Sequence, residues 1–134
     1  MVVVRRAALE IRREEDMVRV RRSVRQWADE LGFGLVDQTK LVTAASELSR
    51  NALVHGGGGT VVFEALEDGP RRGLRLTFTD EGPGIPDVEL ALSDGYTTGS
   101  GLGFGLGGAK RLVNEFSIES RRGAGTRVVM TRWK

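Results

Sequence analysis

Apolar residues recur at helical spacing in two stretches of the N-terminal half. From about Asp16 to Leu31 they are Val20, Val24, Trp27 and Leu31, with arginines between them, and Gly32 follows as a stop. A second amphipathic helix is predicted to start near Asp37, a plausible N-cap. It would bury Leu41, Ala44, Ala45, Leu48 and Ala52 before the glycine run Gly56 to Gly59 ends it. Leu102, Leu106, Ala109, Val113 and Phe116 mark a third helix. Strands are expected over 2–13, with Val2, Val4, Ala8 and Ile11 as apolar members, and at Thr60 to Ala65 and Leu74 to Asp80, joined by the turn-rich Asp68-Gly69-Pro70. Phe116 to Ser120 and Thr126 to Trp133 form a closing hairpin. The order is strand, two helices, two strands, helix, two strands. Short turns between strands predict an α+β fold, a two-layer sandwich of a mostly antiparallel mixed sheet with about three helices on one face.

Composition narrows the chemistry. At 134 residues and 40% hydrophobic the chain suits a single domain, 1–134, with one core. Twenty basic side chains nearly cancel eighteen acidic ones, and the arginine-rich first helix is diluted by Glu14, Glu15, Asp16, Asp29 and Glu30, so no nucleic-acid face is expected. The absence of cysteine excludes disulfides and thiolate metal sites, and one histidine makes no zinc centre without carboxylates. Any metal should be a hard ion held by oxygen. The opening Met1-Val2-Val3-Val4 is cut off by Arg5 and Arg6, too short for a signal core or a membrane span, which leaves a cytoplasmic protein as the expectation.

Nineteen glycines cluster at residues 56–59, 82–84, 99–108 and 123–125, a pattern of loops that need close approach rather than of a linker. Three constellations lie beside them. Glu47 and Asn51 are one helical turn apart on the second helix, at the edge of its apolar stripe. They could be a solvated surface pair, or a carboxylate base beside an amide oxygen able to ligate Mg²⁺. Asp80 continues the inward face of Leu74, Leu76 and Phe78, and a carboxylate there must find donors. An adenine amino group would satisfy it; so would its own downstream amides in a turn. Gly99 to Leu106 runs into the third helix, where free N–H groups favour phosphate, while neither a dinucleotide-binding unit nor a Gly-Lys-Ser/Thr loop fits. His55, at a helix end, reads as a capping or packing residue.

Together, Glu47-Leu48-Ser49-Arg50-Asn51-Ala52, Asp80-Glu81-Gly82-Pro83-Gly84, Gly101-Leu102-Gly103-Phe104-Gly105-Leu106 and Gly123-Ala124-Gly125-Thr126 resemble the motifs of the GHKL superfamily of ATPases and kinases. The resemblance spans essentially the whole chain and implies the Bergerat-type ATP-binding fold with a lid between Pro86 and Gly101. Ala45 to Asn51, Leu92 to Gly99 and Gly105 to Phe116 are most similar to the RsbT-type serine/threonine switch kinases of bacterial partner-switching systems. His55 and Gly108 depart from that subgroup's usual tyrosine and proline.

The resemblance implies ATP and Mg²⁺ as cofactors, a STAS-domain protein as substrate, and a PP2C-type phosphatase as a downstream partner. Glu47 would be the general base, Asn51 the Mg²⁺ ligand and Asp80 the adenine reader. Gly82, Gly84, Gly101, Gly103 and Gly105 would shape pocket and lid, and the Thr126 hydroxyl would support Asp80. No lysine or arginine occurs between Arg75 and Lys110, so Mg²⁺ and backbone amides would offset most of the phosphate charge, with Arg50 or Lys110 as the candidate cations. The alternative is an anti-sigma factor kinase, or a nucleotide-regulated protein that sequesters a sigma factor. A histidine kinase would need another protein's phosphoacceptor histidine.

Overall fold

The computed structural model describes residues 1–92 and 105–134. Five strands, β1 (Val2–Ile11), β2 (Gly59–Asp68), β3 (Arg71–Asp80), β4 (Glu115–Ser120) and β5 (Thr126–Trp133), form one sheet in the order β1-β2-β3-β5-β4. All four pairings are antiparallel, so the expected sheet carries no parallel component among the described residues. Helices α1 (Glu14–Glu30), α2 (Leu35–Arg50), α3 (Val88–Leu92) and α4 (Leu106–Arg111) accompany it. A single apolar cluster joins the two layers, with Val20, Val24 and Trp27 of α1 and Leu41, Ala45 and Leu48 of α2 meeting Val61, Phe63, Leu74, Leu76, Phe78, Val128 and Met130 of the sheet.

The strands alternate as a half-covered sheet should. Leu74, Leu76, Phe78 and Asp80 of β3 are buried, while the residues between them from Arg75 to Thr79 are partly or fully exposed. β1 departs from expectation. Its register slips between Val3 and Arg5, leaving Val2 and Val4 exposed, and only Leu9 and Ile11 approach the core. Val4 and Ala8 lie an odd number of residues from Ile11, so strand alternation itself turns them to the face opposite Ile11.

α1 stops at Gly32, whose φ of +87° suits glycine. α2 begins earlier than expected, with Gly34 rather than Asp37 at the N-cap. Asp37 sits in the first turn instead, where its carboxylate accepts from Arg132 Nη2 at 2.6 Å. Arg132 Nη1 also donates to the Leu112 carbonyl at 2.9 Å, tying the end of α4 to α2 and β5. α4 ends at Arg111, so Val113 lies outside the expected third helix, and Phe116 belongs to β4, where pairing with Met130 overrides the helical spacing. Leu102 falls among residues 93–104, outside the described residues.

Candidate nucleotide site

Asp80 ends β3 on the inward face and is 7% exposed. Its sheet neighbours are Gly59 on β2 and Thr126 on β5. The Gly82 N–H donates to Asp80 Oδ1 at 3.0 Å, the turn contact expected of an aspartate before glycine. Burial pushes the Asp80 carboxyl above the usual range, while the backbone N–H groups of Gly82 and Thr126 and the nearby His55 pull it back.

Main chain surrounds this carboxylate closely. A Cβ at Gly56 would overlap the Asp80 carboxyl carbon, one at Gly82 would overlap Gly56, and one at Gly125, whose φ is +80°, would overlap the Asp80 carbonyl oxygen. Three chain segments therefore reach Asp80 only because they lack side chains. Gly84 sits as closely on the Arg121 carbonyl, and the Gly123 N–H donates to Pro83 O at 2.8 Å, so the loop after Asp80 is clasped to the β4–β5 turn.

The Thr126 hydroxyl does not turn to Asp80. It pairs with Ser120 Oγ at 2.9 Å, and Thr126 supports Asp80 from across the strand ladder. Ser120 Oγ also accepts from the Ile85 N–H at 2.7 Å. Sequence reasoning missed Ser120, since a lone serine at a strand end carries no signal. It also missed Gly56 as a wall of the site, having read the run from Gly56 as a helix stop.

Glu47, near the end of α2, meets the start of α4, and Asn51 follows one turn further on. Glu47 is half-buried, and a Cβ at Gly105 would overlap its Oε2, so this carboxylate rests on the backbone that opens α4. At Asn51 the helix widens into a π-helical turn, Asn51–His55, closed by the Gly56 N–H donating to Asn51 O at 3.2 Å. Such turns recur at functional sites because they re-aim a side chain without ending the helix. This one carries the chain from Asn51 directly to Gly56, against Asp80.

Asn51 is 4% exposed, and among the described residues its Oδ1 has no hydrogen-bond partner. A buried amide oxygen left without a donor is costly, and a hard cation satisfies it, so Asn51 fits Mg²⁺. Among the described residues no three His, Cys, Asp or Glu side chains gather around a metal position. Such an ion would therefore complete its shell from phosphate oxygens and water.

Not every expected residue joins this cleft. Arg50 is exposed and lines a separate groove with Glu14, Met17, Val18, Arg21, Leu53 and Val54. A step of one residue from Asn51 turns it about 100° round the helix. Lys110 is exposed on α4. Gly101, Gly103 and most of the expected lid fall among residues 93–104, outside the described residues, while α3 lies within the lid's opening part.

An inward aspartate enclosed by glycine backbone, beside a helix that carries a carboxylate and an amide oxygen, is the candidate nucleotide site of an α+β domain. The family described as histidine kinase-, DNA gyrase B-, and HSP90-like ATPase matches residues 36–134, and the chain belongs to it. It is 43% identical over 127 residues to the serine/threonine-protein kinase RsbT of Bacillus subtilis, covering 95% of this chain and 96% of that protein. It is 31% identical over 119 residues to the anti-sigma F factor of Clostridium acetobutylicum, covering 82% and 80%. The fold matches a crystal structure of the RsbU and RsbW domains of a Mycobacterium tuberculosis protein with a TM-score of 0.65 and 25% identity, over 96% of this chain and 33% of that one. The expected superfamily, fold and ATP-dependent kinase class are thereby met. Among the described residues no helix is long and apolar enough to cross a membrane.

Proposed function

We propose that this chain is an ATP- and Mg²⁺-dependent serine/threonine kinase that phosphorylates a STAS-domain protein in a partner-switching pathway of the cytoplasm. Once released from that partner it would activate a PP2C-type phosphatase. The observation that carries the reading is the buried Asn51 Oδ1, without a donor among the described residues, one turn from Glu47 and joined through the π-helical turn to the enclosed Asp80. The full-length likeness to RsbT supports it.

In this reading Asp80 accepts from the adenine amino group, and Gly82 and Gly84 hold the loop that admits the base. Gly101, Gly103 and Gly105 shape the phosphate side. Asn51 holds Mg²⁺, which neutralises charge on the transferring phosphoryl group. Glu47 takes the proton of the partner's serine or threonine hydroxyl as that oxygen attacks. Lys110 remains the candidate cation for the phosphates; Arg50, turned into its own groove, does not. Incubation with a STAS-domain protein and ATP should yield a phosphoserine or phosphothreonine by mass spectrometry, and transfer that persists in Glu47→Gln would overturn the mechanism.

The similarity to anti-sigma F factors favours a second reading, in which a sigma factor is sequestered. Co-elution with a sigma factor, released by a STAS-domain protein, would select it.

A further inference from the structure

α4 is six residues long, about 9 Å of helix, and a helix so short holds its place only through tertiary contacts. Leu106, Gly107 and Ala109 supply its buried side. It meets α2 at both ends. At the start, a Cβ at Gly105 would overlap Glu47 Oε2, near the end of α2. At the finish, Arg132 Nη1 donates to the Leu112 carbonyl at 2.9 Å while Nη2 donates to Asp37 Oδ1 at 2.6 Å, in the first turn of α2. Asp37 and Glu47 stand about 15 Å apart along α2, so α4 runs antiparallel beside it, referenced to it near both ends.

The far contact is built for arginine. The Arg132 side chain is only 16% exposed, so its pair with Asp37 is partly shielded from solvent. Leu112 caps the end of α4, and its carbonyl, among the last that lack a donor within the helix, receives a charged one. A planar guanidinium serves two acceptors on separate elements at a fixed separation, which an ammonium on a flexible stem does not.

We infer that Arg132, outside the candidate cleft, is a positioning residue for phosphoryl transfer. By clamping Leu112 to Asp37 it sets how far α4 lies along α2, and so where Gly105 stops against Glu47. The inference rests on the kinase reading. Released from the clamp, α4 slides, and the half-buried carboxylate that leans on its start loses its stop.

The test is single-turnover transfer from saturating Mg-ATP to the STAS-domain protein used for the kinase reading, set beside ATP affinity by calorimetry. Arg132→Met, which keeps the stem and removes both contacts, should slow transfer about ten- to a hundredfold, the worth of a sub-ångström to ångström misplacement of a reacting group. ATP affinity should stay within about threefold, because Asp80 and Asn51 stand on β3 and the π-helical turn and not on α4. Arg132→Lys, which keeps the charge but not the fork, should fall between parent and Arg132→Met. Because Arg132 acts through Glu47, adding Arg132→Met to Glu47→Gln should cost less than about threefold more. Should Arg132→Met not fold, Asp37→Ala opens the same clamp from the α2 side and should show the same split. Unchanged transfer in a folded variant, a loss of affinity as large as the loss of rate, or a full further loss in the Glu47→Gln background overturns the inference while leaving the kinase standing. A parent that transfers no phosphate overturns the kinase reading itself, and this inference with it.

Discussion

Around Asp80 the close neighbours include main chain contributed by Gly56, Gly82 and Gly125, whereas Glu47 and Asn51 stand on a helix that changes pitch as it ends. The first region has a carboxylate already bonded to a backbone amide. The second has an amide oxygen buried without a partner among the described residues and a carboxylate leaning on the start of α4. Preformed backbone walls suit recognition of a rigid, flat base. An unsatisfied oxygen and a half-buried base suit groups that arrive with the substrate. Binding and chemistry should thus be separable by mutation, although one chain segment, Asn51 to Gly56, belongs to both.

The largest effect should come from the helix side. Glu47→Gln is expected to slow single-turnover phosphotransfer by about 10²–10⁴-fold, the usual worth of a positioned general base. A smaller loss is expected at the other end, where Asp80→Asn should weaken ATP about ten- to a hundredfold by calorimetry, because a buried hydrogen bond to a charged group contributes about 1.5–3 kcal/mol. Gly125→Ala tests whether the backbone wall matters in itself. Left-handed φ and overlap with the Asp80 carbonyl should destabilise the fold by about 1–3 kcal/mol, read as a lower urea midpoint, with ATP affinity falling in step. Unchanged stability there would dissolve the contrast between the two regions.

The finest distinction is in pH. Since burial raises the Asp80 carboxyl, the folded chain holds a proton that the unfolded chain has released between the ordinary value and the raised one. In that window Asp80's contribution to stability falls as pH rises, while ATP affinity improves because the ionised group is the acceptor. Asp16, whose carboxyl is held low by the Arg12 and Arg13 amides, and Glu30, held low by Arg5, act in the opposite direction on stability. The effect is therefore read as the difference between parent and Asp80→Asn. Affinity that does not weaken more in the parent than in the variant on acidification would remove Asp80 from its role.

Much of this arrangement was legible in the sequence because it depends on periodicity and punctuation. Strand alternation placed Asp80 on the inward face, and the stripe from Leu41 to Ala52 placed Glu47 and Asn51 at its edge. What the sequence hid is where local spacing and tertiary contact disagree. The extra width at Asn51 leaves no mark on a helical pattern, yet it brings Gly56 against Asp80. Asp37 has the composition of an N-cap, but its pairing with Arg132, far along the chain, holds it inside the helix. The Thr126 hydroxyl goes to Ser120 for a similar reason, since the partner is set by the β4–β5 register and no motif encodes it.

The division between binding and chemistry is tested most directly by titrating ATP into the parent, Glu47→Gln and Asp80→Asn, each with Mg²⁺ and with EDTA. The parent and Glu47→Gln should bind within about twofold of one another with Mg²⁺, and both should weaken clearly in EDTA, where the triphosphate loses the cation that Asn51 helps to hold. Asp80→Asn should be weak in both buffers. Glu47→Gln binding as poorly as Asp80→Asn, or a parent indifferent to EDTA, would contradict the account.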